Sequence, residues 1–134
     1  MPNNAIEIHD SVLASVSFSQ GEAQLNFSSV YIHQSEGIPA CDVGCGFVQQ
    51  AILRIHNARM EGAFSEFPVD LSGGQIQMED RVLDNVIPLP LRHIGPLELR
   101  FQAMSQGQVI VSFSGTGAEL ELLGEPKYVE EFRR

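Results

Sequence analysis

The residues with the most chemical potential in this chain are two cysteines in one short stretch, Cys41-Asp42-Val43-Gly44-Cys45. Paired thiolates at this spacing can hold zinc, but a structural zinc site needs four ligands and normally draws a second pair from elsewhere. No second cysteine pair exists. His33 and His56 are the candidates to complete a set. If the flanking strands form a hairpin, His33 stands beside the loop. His56 then lies far along the return strand, roughly 30 Å away at ~3.3 Å per residue. The candidate metal site therefore reduces to His33, Cys41 and Cys45, with Asp42 as an optional fourth ligand, and zinc is the ion it would suit. The competing expectation is two ordinary loop cysteines, and the incomplete ligand set favours it. No other cofactor is expected.

A second constellation is Glu7-Ile8-His9-Asp10-Ser11, which holds every residue type of a hydrolytic triad. On a regular strand, neighbouring side chains point to opposite faces, so His9 and Ser11 share a face that Asp10 does not. No Gly-x-Ser-x-Gly elbow presents a nucleophile. His9 and Asp10 are thus expected on a functional surface rather than in a catalytic centre, with Asp10 and Ser11 ending or capping a strand. Glu119 and Glu121 share one strand face, but there is no Trp and only two Tyr to form sugar platforms, which disfavours a glycosidase. Gly115-x-Gly117 and Gly44-x-Gly46 open no helix and form no phosphate loop. A His-x-His pair of the kind a cupin metal site uses is missing.

Charge narrows the partners. The net charge is −9, and no Lys or Arg precedes Arg54. Nucleic acids need a basic stripe, and anionic membranes need basic clusters; neither is present. A basic protein partner or a cationic ligand suits the field, although an acidic surface also serves solubility alone.

The elements that would carry these residues are strands. Val109 to Ser114 and Leu97 to Ala103 alternate apolar and polar residues every second position, the signature of a strand with one buried face. Ser11 to Ser19 alternates with Val12, Ala14, Val16 and Phe18 on one face. Gln20-Gly21-Glu22 turns the chain, and Ala23, Leu25 and Phe27 return. Parity then shifts to Val30 and Ile32, which predicts a β-bulge near Ser28-Ser29 or a change of sheet. Further strands are expected over Phe47 to His56 and Gln75 to Asp80, and Ala118 to Leu122 continues the pattern. Val86-Ile87-Pro88-Leu89-Pro90-Leu91 holds two prolines and belongs at an edge or in an extended crossing segment. Leu97 to Ser114 predicts a hairpin turning at Ser105-Gln106-Gly107. Pro126, followed by Tyr128, Val129 and Phe132 on one helical face and closed by Arg133-Arg134, predicts a short C-terminal helix.

The 134 residues are expected to form one domain, residues 1–134. The expected fold is all-β: seven to nine strands in a two-sheet antiparallel, jelly-roll-like sandwich with the short helix packed on it, or alternatively a closed barrel. No signal-peptide pattern opens the chain, so a cytoplasmic protein is expected.

Glu7-Ile8-His9-Asp10-Ser11 resembles the His-Asp opening of several families of small bacterial β proteins, some of which are immunity proteins against polymorphic toxins. Leu120 to Glu130, with its Leu-Gly-Glu-Pro-Lys-Tyr-Val run, is similar to the end of an uncharacterised group of bacterial proteins. The resemblance implies a bacterial protein without an attached activity and transfers no catalytic residue. The expected function is a non-enzymatic acidic protein that binds a protein partner, with immunity against a basic toxin as its concrete form. The alternatives are a metal or small-ligand site at the Cys41–Cys45 loop, and a homo-oligomeric module that self-associates through an edge strand.

Overall fold

The computed structural model describes residues 3–35, 44–103 and 109–132. Every regular element in them is a strand: β1 Asn3–Ser19, β2 Glu22–Ser35, β3 Gly44–His56, β4 Arg59–Glu61, β5 Val69–Asp70, β6 Gly73–Met78, β7 Arg81–Asp84, β8 Val86–Leu89, β9 Arg92–Ala103 and β10 Val109–Phe132. They form one antiparallel sheet in the order β5-β1-β2-β3-β10-β9-β6-β7, with β4 attached to β10 and β8 to β1.

The sheet curls into a half-barrel because its long strands change partners along their length. The first part of β1 pairs with β8 and a later part with β5. Likewise β10 pairs with β9 and β4 over its first half and with β3 over its second. Leu13, Leu25, Leu53, Ile55, Leu99, Phe101 and Phe113 fill the inside of the curl and are fully buried. Phe101 packs edge-to-face on Phe27 and on Phe113, with ring centroids 6.2 and 6.1 Å apart.

The expected two-sheet sandwich is replaced by this single curled sheet, which partly echoes the barrel alternative. The reason lies in the punctuation. Several polar or glycine breaks that read as strand ends are bulges inside continuous strands. Between Glu7 and Val12, five steps along β1 match only two along β2, from Tyr31 to Ser29. The bulge expected at Ser28-Ser29 is present: Phe27 faces Ala51 and Val30 faces Gln49. Bulges bend strands and increase twist, which is how one sheet closes on itself. A further irregularity at Ala14 makes Leu13, rather than Val12, the core residue, while Val16 and Phe18 keep the expected parity opposite Leu25 and Ala23.

Gly115 lies where β10 changes partner. A Cβ there would sit 2.5 Å from the His56 carbonyl oxygen and 2.6 Å from Ile55 Cγ2, so only glycine allows this approach.

The C-terminal helix is also corrected. Lys127 to Phe132 pair with β3 between Val48 and Gly44, and Pro126 is absorbed in an irregularity between Leu123 and Lys127. Without this pairing, the Gly44–Val48 part of β3 would carry β2 on one side and leave its backbone groups on the other side unsatisfied. Tyr128 meets Phe47 edge-to-face, with ring centroids 5.7 Å apart, and Tyr, Val and Phe favour extended backbone as readily as a helical stripe.

The Pro88 segment takes the edge position expected of it, paired with β1 alone among the described residues. The turn at residues 105–107, and Arg133 and Arg134, lie outside the described residues, while Ala103 and Val109 pair as that hairpin requires. Among the described residues, no helix is long and apolar enough to cross a membrane.

Candidate functional site

Two places gather side chains that could act on another molecule. The first is the mouth of the half-barrel. The chain segment that leaves β8 and enters β9 crosses from β1 to β10. At the crossing, the Leu120 N–H donates to the Leu91 carbonyl at 3.1 Å. Beyond that contact β8 follows β1 and β10 follows β3, so the two strands part. The opening is a cleft of about 140 Å³ lined from all five strands around it: Leu89 of β8, Asn4 of β1, Ile32 and Gln34 of β2, Phe47 and Gln49 of β3, and Leu122 and Pro126 of β10.

The register explains this lining. Asn4 faces both Gln34 and Leu89, Ile32 faces Phe47, and Leu122 faces Ala51, so these side chains share the concave face. Leu122 would be core in a closed barrel, but it is 39% exposed. The lining carries no charged group and three carboxamides. Gln49 Nε2 donates to the Gly124 carbonyl at 2.8 Å. Asn4 lines the cleft, but its Oδ1 is turned under the surface, buried and with no hydrogen-bond partner among the described residues.

The second place is the β1 bulge. Its extra residues break the strand alternation and let Glu7, His9 and Asp10 converge, with one ligand atom from each within 4.8 Å of the others. His9 Nε2 is 3.0 Å from Asp10 Oδ2. Asn85 clasps the bulge from the other side. Its Nδ2 contacts His9 Nδ1, its Oδ1 accepts from His9 N at 2.9 Å, and its carbonyl accepts from Ile8 N at 2.9 Å. This network suits the tautomer with the proton on Nε2, donated to Asp10. Ser11 is buried: its Oγ donates to the Glu7 carbonyl at 2.9 Å and accepts from Tyr31 N at 3.2 Å. The hydroxyl therefore fastens the bulge and is turned away from the His9–Asp10 pair, and the strand continues through Ser11 instead of ending there. With His9 and Asp10 about half exposed, their contact is a solvated surface feature.

The sequence-derived metal residues are placed as follows. His33 is buried and faces Gly46, while Cys45 faces Gln34, so adjacent register positions put His33 and Cys45 on opposite sides of the sheet. Cys45 is a half-buried free thiol. Cys41 and Asp42 lie outside the described residues. His9 and Asp10 are both exposed.

On the outer face, Glu119 and Glu121 extend a ladder of ions. Arg54 lies 3.0 Å from Glu121 and 3.8 Å from Glu22, His56 lies 3.7 Å from Glu22, and Arg92 lies 3.7 Å from Glu119. These carboxylates are matched by cations along the sheet and form no cleft.

Sequence reasoning missed the mouth. Its residues are ordinary amides and aliphatics spread over five strands. The one available signal was Leu122, an inward-parity apolar residue directly before the Leu123-Gly124-Glu125-Pro126 break.

Compared with protein-family models, with curated proteins and with solved structures, the chain matches none of them.

Proposed function

We propose that the protein is a non-catalytic, acidic binding module whose barrel mouth receives one aromatic side chain of a basic protein partner. The observation that carries this reading is the cleft itself. Small-molecule sites generally need about 300–1,000 Å³. The mouth offers about 140 Å³, close to the roughly 150 Å³ that accepts a benzene ring. One ring fits, and a ring is the usual anchor of a protein interface.

The guest's chemistry follows from the lining. Apolar walls favour an apolar body, and a turn of the Asn4 amide on binding would bring its buried, unpartnered Oδ1 to a donor at the guest's tip. A buried ammonium or guanidinium would find no carboxylate in the lining and would be costly. A neutral donor, tyrosine or tryptophan, suits the site. Lysines and arginines of the partner then belong outside the mouth, where the net charge of −9 draws them in. An immunity-type role, capturing a basic toxin, is the concrete form of this reading. It is supported by the acidity, the size and the likeness of the Glu7–Ser11 stretch. The free thiol of Cys45 suits a reducing compartment, in keeping with a cytoplasmic protein.

The test is a titration of the ¹⁵N-labelled protein with p-cresol, followed by amide shifts. The expected result is a saturable response confined to Asn4, Gln34, Phe47, Leu89 and Leu122, weakened in Asn4→Leu. A response elsewhere, or none, overturns the reading.

A further inference from the structure

We infer that the partner segment carrying that ring docks as an extended strand along the edge of β10, with a basic residue at every second position. This rests on the reading of the mouth as the binding site and extends it to the backbone. Beyond Leu120, the described residues of β10 pair with β3 alone, so one edge of this strand borders the cleft directly. Because the Leu120 N–H points across to Leu91, and the pairing with β3 is regular from Gly117 to Leu123, the N–H and C=O of Leu122 point the same way, into the opening.

An added strand would thus find backbone groups at Leu122 beside a pocket for an inward side chain, the combination that strand addition uses. Its inward residues would meet Leu122, Leu89 and Phe47, with the ring in the cleft. Its outward residues would flank the exposed Glu125, and Glu121, which Arg54 contacts at 3.0 Å but whose side chain stays half exposed on the convex face for a second cation. Opposite charges across neighbouring strands are favourable, so these positions suit lysine or arginine. A second copy of this chain is a poor occupant, because each copy carries −9 and like-charged edges repel.

The probe is an acetylated, amidated heptapeptide of alternating lysine and valine with tyrosine at its centre. It is compared with an all-glutamate twin and with two twins N-methylated on alternate amides. Calorimetry gives affinity and hydrogen exchange gives backbone protection. The lysine peptide is expected to bind, to slow exchange of the Leu122 amide by ~10-fold or more, and to bind about tenfold more tightly than at least one methylated twin. If the methylated twins bind equally well, with shifts at the mouth and unchanged Leu122 exchange, strand addition is overturned while the ring-binding mouth stands. If the glutamate twin binds as tightly, the basic partner is overturned. If no peptide perturbs the mouth, both readings fall.

Discussion

Leu120 and Leu91 make the last backbone hydrogen bond between β10 and the segment joining β8 to β9, at 3.1 Å, and the half-barrel opens directly beyond it. Two residues further, Leu122 keeps the inward parity of a core residue but has no strand opposite it on the open side among the described residues. A core position has become a rim position because one neighbouring strand follows β1 instead.

Leu122 should therefore matter more for binding than for folding. Full burial of a leucine is worth about 1.5–3 kcal/mol, and Leu122 realises only part of that at 39% exposure. Leu122→Ala should cost about 1 kcal/mol in urea unfolding. Leu122→Arg should lower stability comparably while abolishing the response to p-cresol. A loss of several kcal/mol in either variant would mean that Leu122 is core and that the mouth is closed in solution.

Ser11 should be the stability-determining member of the Glu7–Ser11 stretch. Its Oγ is the acceptor for the buried Tyr31 N–H, and it donates to the Glu7 carbonyl. Ser11→Ala removes both hydrogen bonds from a buried site and should cost about 1–3 kcal/mol. His9→Ala, which removes an exposed pair, should cost less than about 1 kcal/mol. Equilibrium denaturation of both variants checks the order. The reverse order would point to a structural role for the His9–Asp10 pair that its exposure does not suggest.

Asn85 separates backbone from side-chain effects. It sits at φ 61°, in the left-handed region, and its side chain reaches His9. Asn85→Gly keeps the backbone conformation and loses only the side-chain bonds. Asn85→Ala loses the bonds and adds left-handed strain of about 1–2 kcal/mol. The alanine variant should melt at a lower temperature than the glycine variant. Equal melting temperatures would show that the backbone relaxes at this junction.

Much of the fold was legible because period-two alternation survives wherever a strand buries one face. The Ser19–Glu22 turn, the Ser28-Ser29 bulge and the β9–β10 pairing all follow from it. What misled was the meaning of the interruptions. His9-Asp10, Gly115-x-Gly117 and Gly124-Glu125-Pro126 have the composition of turns, yet each lies inside a strand that bends and continues. Composition reports that the ladder is disturbed but not whether the chain reverses, because reversal depends on which distant strand supplies the next hydrogen bonds. The same non-locality hid the mouth, whose lining is contributed by positions from Asn4 to Pro126.

Gly115 tests the bending argument directly. Its missing Cβ lets β10 pass against the His56 carbonyl, a backbone atom that cannot swing aside. Gly115→Ala should destabilise by about 1–3 kcal/mol, the usual cost of overpacking. Gly73→Ala, whose nearest neighbour would be the flexible Gln102 side chain at 3.6 Å, should be far milder. Similar losses at both positions would indicate a general intolerance of alanine in these strands rather than a specific close approach.

Charge should act on how fast a basic partner arrives. The residues before Arg54 carry acidic groups with no Lys or Arg among them, and Asp10 and Glu22 are accessible within that half. The association rate of the lysine heptapeptide, followed by stopped-flow, should fall as ionic strength rises, because exposed charges more than about 8 Å apart are screened at 0.15 M salt. Asp10→Lys combined with Glu22→Lys should slow association and flatten that salt dependence, while the dissociation rate changes little, since neither residue lines the mouth. An association rate indifferent to salt in the unaltered protein would detach the acidity from binding and leave it as a contribution to solubility alone.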